Sequence, residues 1–302
     1  MREFIEETAK TLNVEKHLLE KDILLHQILL DLSKTKICEE FTFKGGSCLI
    51  KHYLNYFRFS EDLDFTFIDQ GLFKGASQKR IRQMLSKKIQ EIGNALEDIA
   101  KKRNLDFKFE KHNKRYIEIG SSNKTATFKL WYISIDNMNF FIKLQINFVE
   151  KILFPIKKAR IRSLAIESKE LKFLFPNLYK EYTTKVMFNV YDIREILCEK
   201  IRAILTRRGI KERDFIDVYL VSKKFKIDPD ALRSEIITKT RFALFLYRKY
   251  RQNLDEKTKL LSVDMFPFGS EEPLLLMKIE KSEFYSFLVK FMTFLEKIMK
   301  ML

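Results

Sequence analysis

The spacing of apolar residues changes along the first half of the chain. In residues 1–36 and 77–103 they recur every three or four positions, which predicts amphipathic helices. Between residues 105 and 149 apolar and polar residues alternate, which predicts successive strands. These strands are expected at 107–109, 115–119, 125–133 and 140–149. The pattern indicates a mixed β-sheet covered by helices.

The second half of the chain changes character again. Residues 151–190 hold two prolines and mixed apolar segments, which predict loops and one or two further strands, at 171–175 and 184–190. Asp192 and Glu195 have the spacing of a capping box and predict the start of a helix. The remainder has few glycines and helical spacing. We therefore predict an α+β fold, with a mixed-sheet domain over 1–190 and an all-helical bundle over 191–302.

A glycine-rich turn follows the first predicted strand, which contains Phe41 and Phe43. Gly45 and Gly46 allow a tight turn and a close approach of backbone to a ligand. Ser47 then opens a helical stretch, and a helix start presents unpaired amides that suit a phosphate. An ordinary strand, turn and helix with Ser47 as N-cap is the alternative.

Two aspartates lie on the next predicted strand. Because side chains alternate along a strand, Asp62, Asp64 and Thr66 share one face. Two carboxylates on one face repel each other unless a cation lies between them, and such oxygens suit Mg²⁺ bound with substrate phosphates. The alternative is a strand end whose carboxylates meet water or lysines.

A second polar constellation is predicted on two helices of the bundle. Lys200, Ala203 and Arg207 fall on one helical face, where a long anion could bind. Asp214 and Asp217 share a face of the following helix. The alternative is a pair of salt-bridged helices, with the two cations against the two aspartates.

Composition extends these interpretations. The 302 residues are 46% hydrophobic and include 28 Phe, as expected for a globular protein. The formal net charge of +16 favours a polyanionic partner such as RNA, although a general lysine bias would give the same excess. Three cysteines lack metal spacing and are interpreted as reduced thiols. With no signal core and no membrane-spanning apolar run, we expect a cytoplasmic protein.

The two constellations together resemble a known family. The first is similar to the Gly-Gly-Thr/Ser and Arg-Phe-Ser-Glu-Asp-Leu-Asp signature of AbiEii-like nucleotidyltransferases, which include toxins of abortive-infection and type IV toxin-antitoxin systems. The matching positions are Gly45, Gly46, Ser47, Arg58, Ser60, Asp62 and Asp64. The second is similar to the later family pattern Glu-Lys…Ala…Arg followed by Arg-Asp…Asp…Tyr.

The resemblance implies an enzyme that transfers a nucleotide from an NTP. By analogy, Asp62 and Asp64 hold Mg²⁺ or Mn²⁺, and the glycine turn with Ser47 cradles the β- and γ-phosphates. The expected nucleotide-binding residues also include Arg58, Ser60, Lys200, Arg207 and Asp217. Lys200 would contact the triphosphate with the support of Arg207, and Asp214 with Asp217 would position Lys200 or take part in the chemistry. RNA, above all the tRNA 3′ end, is the expected acceptor, and an antitoxin is a further expected partner.

The sequence departs from the usual pattern in one respect. Many nucleotidyltransferases supply a third carboxylate from a later strand, but the polar face of 140–149 carries Lys143, Gln145 and Asn147. Glu118, Asn147 and Glu150 are the candidates for a third ligand. This departure leaves open a non-catalytic protein of the same fold that binds nucleic acid or a protein partner. Transfer to a protein hydroxyl or a small molecule is also open.

Overall fold

The computed structural model describes residues 1–73, 75–120, 123–262 and 266–302. The chain forms two compact units, one of residues 1–150 with 156–191 and the other of 151–155 with 192–302. The first unit contains a sheet flanked by helices and the second is helical, which confirms the predicted α+β class. Within the described ranges, no helix has the length and apolar character needed to cross a membrane.

Helices precede and interrupt the sheet of the first unit, and most follow the predicted periodicity. They are α1 (Arg2–Leu12), α2 (Lys16–Leu32), α3 (Ile37–Glu40), α4 (Gly45–Cys48, continued by a π-helical turn Leu49–Leu54), α5 (Gln78–Arg103), α6 (Lys169–Leu174) and α7 (Pro176–Thr183). Ser77 caps α5 by accepting from the backbone N–H of Arg80.

The sheet contains seven strands in the described part of the chain. They are β1 (Phe41–Lys44), β2 (Asp62–Phe67), β3 (Ile117–Ile119), β4 (Thr125–Ile133), β5 (Asn139–Asn147), β6 (Lys157–Ile161) and β7 (Val186–Val190). Their order is β3-β4-β5-β2-β1-β7-β6. The neighbours β2 and β5 run parallel, as do β1 and β7, while the other pairs are antiparallel. The sheet is therefore mixed, as predicted.

Phenylalanines fill the core under the central strands. Phe43 of β1 lies 5.3 Å from Phe65 of β2 between ring centroids, and Phe65 lies 5.4 Å from Phe188 of β7. All three are fully buried. The apolar side chains of β1 and β2 thus occupy one face of the sheet, which leaves the aspartates of β2 on the other.

Two predicted strands are absent from the described structure. Residues 107–109 form no strand, because Phe109 packs over Gly93 of α5 and only Asp106 makes a bridge, to Trp131. Segment 171–175 lies mostly in α6, where Ser168 caps the helix by accepting from the N–H of Leu171. Conversely, β6 pairs with β7, whereas the sequence predicts a loop at these residues.

The second unit is built from helices α8 (Ile193–Thr206), α9 (Glu212–Phe225), α10 (Arg233–Leu246), α11 (Arg248–Leu260) and α12 (Lys281–Met301). Asp192 caps α8 as predicted, by accepting from the N–H of Arg194 at 3.0 Å. The prediction that Glu195 completes the capping box is wrong. The Glu195 carboxylate instead accepts from the N–H groups of Leu153 and Phe154 and pairs with buried Lys239.

Candidate nucleotide site

The glycine turn after β1 brings the backbone against a carboxylate of β2. Gly45 has φ +72°, and a Cβ built there would lie 2.3 Å from Oδ2 of Asp64. A side chain at this position would both strain the backbone and collide with Asp64. The sequence therefore needs glycine here in order to place the turn beside the aspartate.

Ser47 does not cap the helix, contrary to the alternative interpretation of the turn. Helix α4 begins at Gly45, with Lys44 as N-cap. The buried Ser47 hydroxyl donates to the backbone carbonyl of Asp62 and lies 2.8 Å from the Ser60 hydroxyl. Ser47 thereby joins the turn to the start of β2, and its expected contact with phosphate stays a prediction.

Arg58 and Ser60 lie on the other side of the same turn. A Cβ on Gly46 would lie 3.0 Å from Nη2 of Arg58 and 3.3 Å from the hydroxyl of Ser60. Arg58 is buried, donates to the carbonyl of Phe59 at 2.7 Å and lies over the Phe57 ring. The structure thus brings all seven residues of the first motif together.

The register of the sheet gives each aspartate its neighbours. Asp62 lies opposite Lys143 of β5, and the two side chains approach to 3.7 Å between Oδ2 and Nζ. Asp64 lies opposite Gln145 on one side and Lys44 on the other. Both members of the Asp62–Lys143 pair are about one third exposed. Solvent therefore screens this attraction, and an incoming cation could compete for the carboxylate.

Lys44 is a residue of this site that our sequence interpretation missed. It is buried, with Nζ 4.0 Å from Oε2 of Glu150 and 5.6 Å from the centre of the Tyr191 ring. The signal was present in the strand alternation, because Phe41 and Phe43 take the core face and leave Lys44 on the face of Asp64.

The three candidates for a third ligand occupy different places. Glu118 is paired with Lys129 on β4, and β4 and β5 separate its strand from β2. Three strand spacings amount to about 14 Å, so Glu118 cannot share a metal ion with Asp64. Asn147 lies opposite Thr66, and Glu150 is paired with Lys44.

The donor set fits a hard cation bound together with a ligand. In the part of the chain that the structure describes, no group of three or more His, Cys, Asp and Glu side chains could hold a metal. Asp62 and Asp64 nevertheless present two carboxylates on one strand face beside the turn. Mg²⁺ is commonly held by one or two carboxylates plus substrate phosphates, and this arrangement suits it.

The second constellation forms a closely paired cluster within the helical unit. Nζ of Lys200 lies 2.9 Å from Oδ1 of Asp214 and 2.5 Å from Oδ2 of Asp217. Arg207 lies just beyond the end of α8, in extended backbone, and its Nη1 is 2.9 Å from Oδ2 of Asp214. The predicted alternative of salt-bridged helices thus describes these contacts, while the phosphate-binding role stays a prediction.

Burial and charge act in opposite directions on Asp214. Burial alone would raise the pKa of its carboxyl, but the charges of Lys200 and Arg207 and the hydrogen bond from Lys200 together lower that pKa well below its usual range. The carboxylate is therefore ionised at any physiological pH, and it holds Lys200 in one orientation.

Two residues of α11 support this cluster and were missed in the sequence. Asn253 donates to the carbonyl of Thr206 at 2.8 Å, and Lys257 donates to the carbonyl of Gly209. Both side chains are buried. Burial, opposed by Asp214 and reinforced by Arg207, lowers the pKa of Lys257 to about 8. These contacts fix the end of α8 and the turn that carries Arg207. No short sequence motif predicts them.

Comparison with known proteins assigns the family. Residues 27–295 match the family model of the nucleotidyl transferase AbiEii toxin of type IV toxin-antitoxin systems, which covers well over half of the chain. The chain belongs to the AbiEii nucleotidyltransferase toxin family. This confirms the resemblance found in the sequence motifs. No curated protein matches the sequence significantly.

A solved structure supports the fold of this AbiEii family member. MenT4, a nucleotidyltransferase toxin from Mycobacterium tuberculosis H37Rv, superposes with a TM-score of 0.59 at 16% identity, over 98% of this chain and 89% of MenT4. At that identity the likeness concerns the fold alone. A nucleotidyltransferase-like antigenic protein from Paracoccidioides brasiliensis gives a TM-score of 0.29 at 14% identity, over 66% of this chain and 75% of that one, which is too low to indicate a common fold.

Proposed function

We propose that this AbiEii family member is a metal-dependent enzyme that transfers an NMP from an NTP to RNA, with the tRNA 3′ end as its acceptor. The observation that carries the proposal is the position of Asp64, whose carboxylate lies against the Gly45 turn. A turn that can bind phosphate and a carboxylate that can bind a cation thus lie side by side.

In this reaction an acceptor hydroxyl loses its proton to solvent and attacks the α-phosphorus of the NTP. The bond from that phosphorus to the oxygen bridging the β-phosphorus breaks, and pyrophosphate leaves with the electron pair. Asp62 and Asp64 would hold Mg²⁺ or Mn²⁺, which when bound supplies charge neutralisation at phosphate oxygens. The backbone amides of Gly45 and Gly46 would orient the β- and γ-phosphates.

Lys200 and Arg207 form a second candidate phosphate-binding group, within the helical unit. A lysine ammonium has three N–H donors, and Asp214 and Asp217 lie within reach of two of them. The aspartates would therefore orient Lys200 so that another donor can serve a phosphate oxygen. A cation held in this way is preorganised to stabilise the negative charge of a phosphate.

RNA as the acceptor is supported by the formal net charge of +16, which attracts a polyanion. Membership of a toxin-antitoxin family supports a cognate antitoxin as a further partner. Transfer of an NMP to the 3′ end of a tRNA would remove that tRNA from translation, which is a route to toxicity.

The test is incubation of the full chain with each α-labelled NTP and total tRNA in the presence of Mg²⁺ or Mn²⁺. We expect the protein of natural sequence to label RNA and the Asp64→Ala variant to give no labelled RNA. Asp98→Ala is the matched control, because Asp98 is an exposed aspartate of α5, and it should label RNA normally. If only protein is labelled, the acceptor is a protein and not RNA. If no NTP gives a labelled product, the proposal of an enzyme is wrong.

One observation favours a second candidate, a protein of this fold that binds RNA without turnover. Lys143, 3.7 Å from Asp62, could satisfy that carboxylate without any metal. In that case Asp62→Ala combined with Asp64→Ala would leave RNA binding unchanged at every salt concentration, and no NTP would give labelled product.

A further inference from the structure

One face of the β4–β5 hairpin stays open in the folded protein. Ala126, Phe128 and Leu130 of β4 are fully buried, as is Ile142 of β5. The residues that alternate with them, from Thr125 to Trp131 and from Phe141 to Asn147, are only partly buried. Because side chains alternate, this partly exposed face is the one that carries Asp62 and Asp64 in β2.

Aromatic and basic side chains are interleaved on this open face. Trp131 and Phe141 are opposite each other in register, with ring centroids 4.8 Å apart. The Arg115 guanidinium lies 4.5 Å from the centre of the Trp131 ring, and Nζ of Lys129 lies 5.7 Å from that of Phe141. We call Arg115, Lys129, Trp131, Phe141 and Lys143 the aromatic platform.

The aromatic platform continues the row of side chains that begins at the aspartates. Asp62 lies opposite Lys143, and Lys143 lies opposite Lys129 on the next strand. Phe141 lies on the same face two residues before Lys143, about 7 Å away along the strand. A chain bound across these side chains would therefore end next to Asp62.

We propose that the aromatic platform binds the single-stranded 3′ end of the RNA acceptor, with bases stacked on Trp131, Phe141 and the Arg115 guanidinium and phosphates on Lys129 and Lys143. The proposal rests on the proposed function, whose acceptor it positions. Sheet surfaces with exposed aromatic and basic residues are general binding surfaces for single-stranded nucleic acid.

The ion pairs on this surface have carboxylates that solvent reaches. Arg115 pairs with Asp106 and Lys129 with Glu118, and both of these carboxylates are about half exposed. Exposed pairs of this kind contribute little, so a phosphate can replace the carboxylate at low cost. A protein partner would need a larger apolar surface, whereas these aromatic rings are surrounded by cations.

The chain contains a single tryptophan, Trp131, so its fluorescence reports on this surface alone. We would titrate the full chain with a short oligoadenylate RNA in EDTA and without NTP, and follow both Trp131 fluorescence and the anisotropy of labelled RNA. We expect RNA to quench the fluorescence and inorganic polyphosphate, which has charge but no bases, to leave it unchanged.

Variants test the stacking residues separately. Phe141→Ala and Arg115→Ala should each weaken RNA binding by roughly five- to a hundredfold, and Phe141→Tyr should restore it. Phe245→Ala is the matched control, since Phe245 is an aromatic residue of α10 that is 86% exposed. It should bind RNA as the natural sequence does, and circular dichroism would verify that each variant is folded.

RNA binding without quenching, or equal quenching by polyphosphate, would overturn the proposal. So would a Phe141→Ala and Arg115→Ala double variant that keeps full affinity, which is also the outcome expected if this face binds a protein. The label-transfer assay keeps the two proposals distinct. Quenching by RNA without label transfer would contradict the proposed enzyme and support RNA binding at the aromatic platform. Normal label transfer by the double variant would support the enzyme and contradict the role of the aromatic platform.

Discussion

Two aspartate pairs, one in each unit, occupy opposite electrostatic environments. Asp214 and Asp217 are buried, and Lys200 lies within 3 Å of both. Asp62 and Asp64 lie on a partly exposed strand face, where the Lys143 ammonium is 3.7 Å from Asp62 and screened by solvent. The first pair is neutralised by buried or partly buried cations, whereas the Asp62–Lys143 pair beside Asp64 is reached by solvent.

This difference separates residues that orient a group from residues that bind one. A buried carboxylate with a lowered pKa fixes its lysine partner, and its removal leaves one buried negative charge fewer to balance the cations of the cluster. A partly exposed carboxylate beside a glycine turn is less important for stability but can bind a metal ion that also coordinates a phosphate. Stability and activity should therefore respond in opposite ways to the same substitution in the two pairs.

The largest expected effect is the loss of stability in Asp214→Asn. Removal of this charge leaves Lys200 and Arg207 without their shared partner, and should lower the free energy of unfolding by about 3–5 kcal/mol. Urea denaturation followed by circular dichroism measures it. Asp230→Asn is the control, because Asp230 forms an exposed pair with Arg233 and should cost under about 1 kcal/mol. Equal effects would show that burial does not distinguish the pairs.

Asp64→Asn should give the opposite result. We expect label transfer to fall by about 10²–10³-fold, because a carboxylate that binds the cation is lost. The free energy of unfolding should change by less than about 1 kcal/mol, since the side chain is partly exposed. Initial rates at saturating NTP, together with the urea curve, test both parts. A variant that unfolds as readily as Asp214→Asn would abolish the contrast between the two pairs.

The sequence predicted the parts of the fold that depend on local periodicity. The alternation around Asp62 and Asp64 predicted their common face, and the glycines predicted the turn. Segment 107–109 alternates in the same way but packs on α5 through Phe109. The spacing of apolar residues alone cannot distinguish a segment that pairs with a strand from one that packs on a helix.

The supporting residues of the candidate site were beyond sequence reasoning for a different reason. Lys257 reaches the carbonyl of Gly209 and Lys44 reaches Glu150, in each case across a wide sequence separation. Such contacts depend on how elements pack, and neither lysine differs in sequence from the many exposed lysines of this basic chain. The motifs indicated which side chains carry the chemistry, but not which ones hold them in place.

Lys257 offers a test of the buried cluster by pH. Its pKa is lowered to about 8 in the folded chain from an ordinary value of 10.5, first by burial and then by Arg207, with Asp214 acting in the opposite direction. Between these two values the unfolded chain binds more protons, so the free energy of unfolding should rise with pH from 8 to 10.5. Lys257→Met should lack this rise, a difference on the order of 1 to 3 kcal/mol.

The measurement is a series of urea curves at pH 7 to 10.5 for the natural sequence and for Lys257→Met. Other lysines and tyrosines titrate in this range, so the difference between the two proteins carries the information. Parallel pH profiles would show that Lys257 is charged in the folded state and that the buried cluster tolerates the extra cation.

The smallest expected effect concerns the competition at Asp62. Lys143→Met removes a partly exposed pair, so stability should change by less than about 1 kcal/mol. Without the competing ammonium, the Mn²⁺ concentration for half-maximal label transfer should fall by roughly two- to fivefold at saturating RNA. Lys158→Met is the control, since Lys158 is an exposed strand lysine of β6 in the same sheet, and should leave the metal requirement unchanged. A higher metal requirement in Lys143→Met would mean that Lys143 assists the site, and the aspartates of β2 would then resemble the paired aspartates of α9 more closely than their exposure indicates.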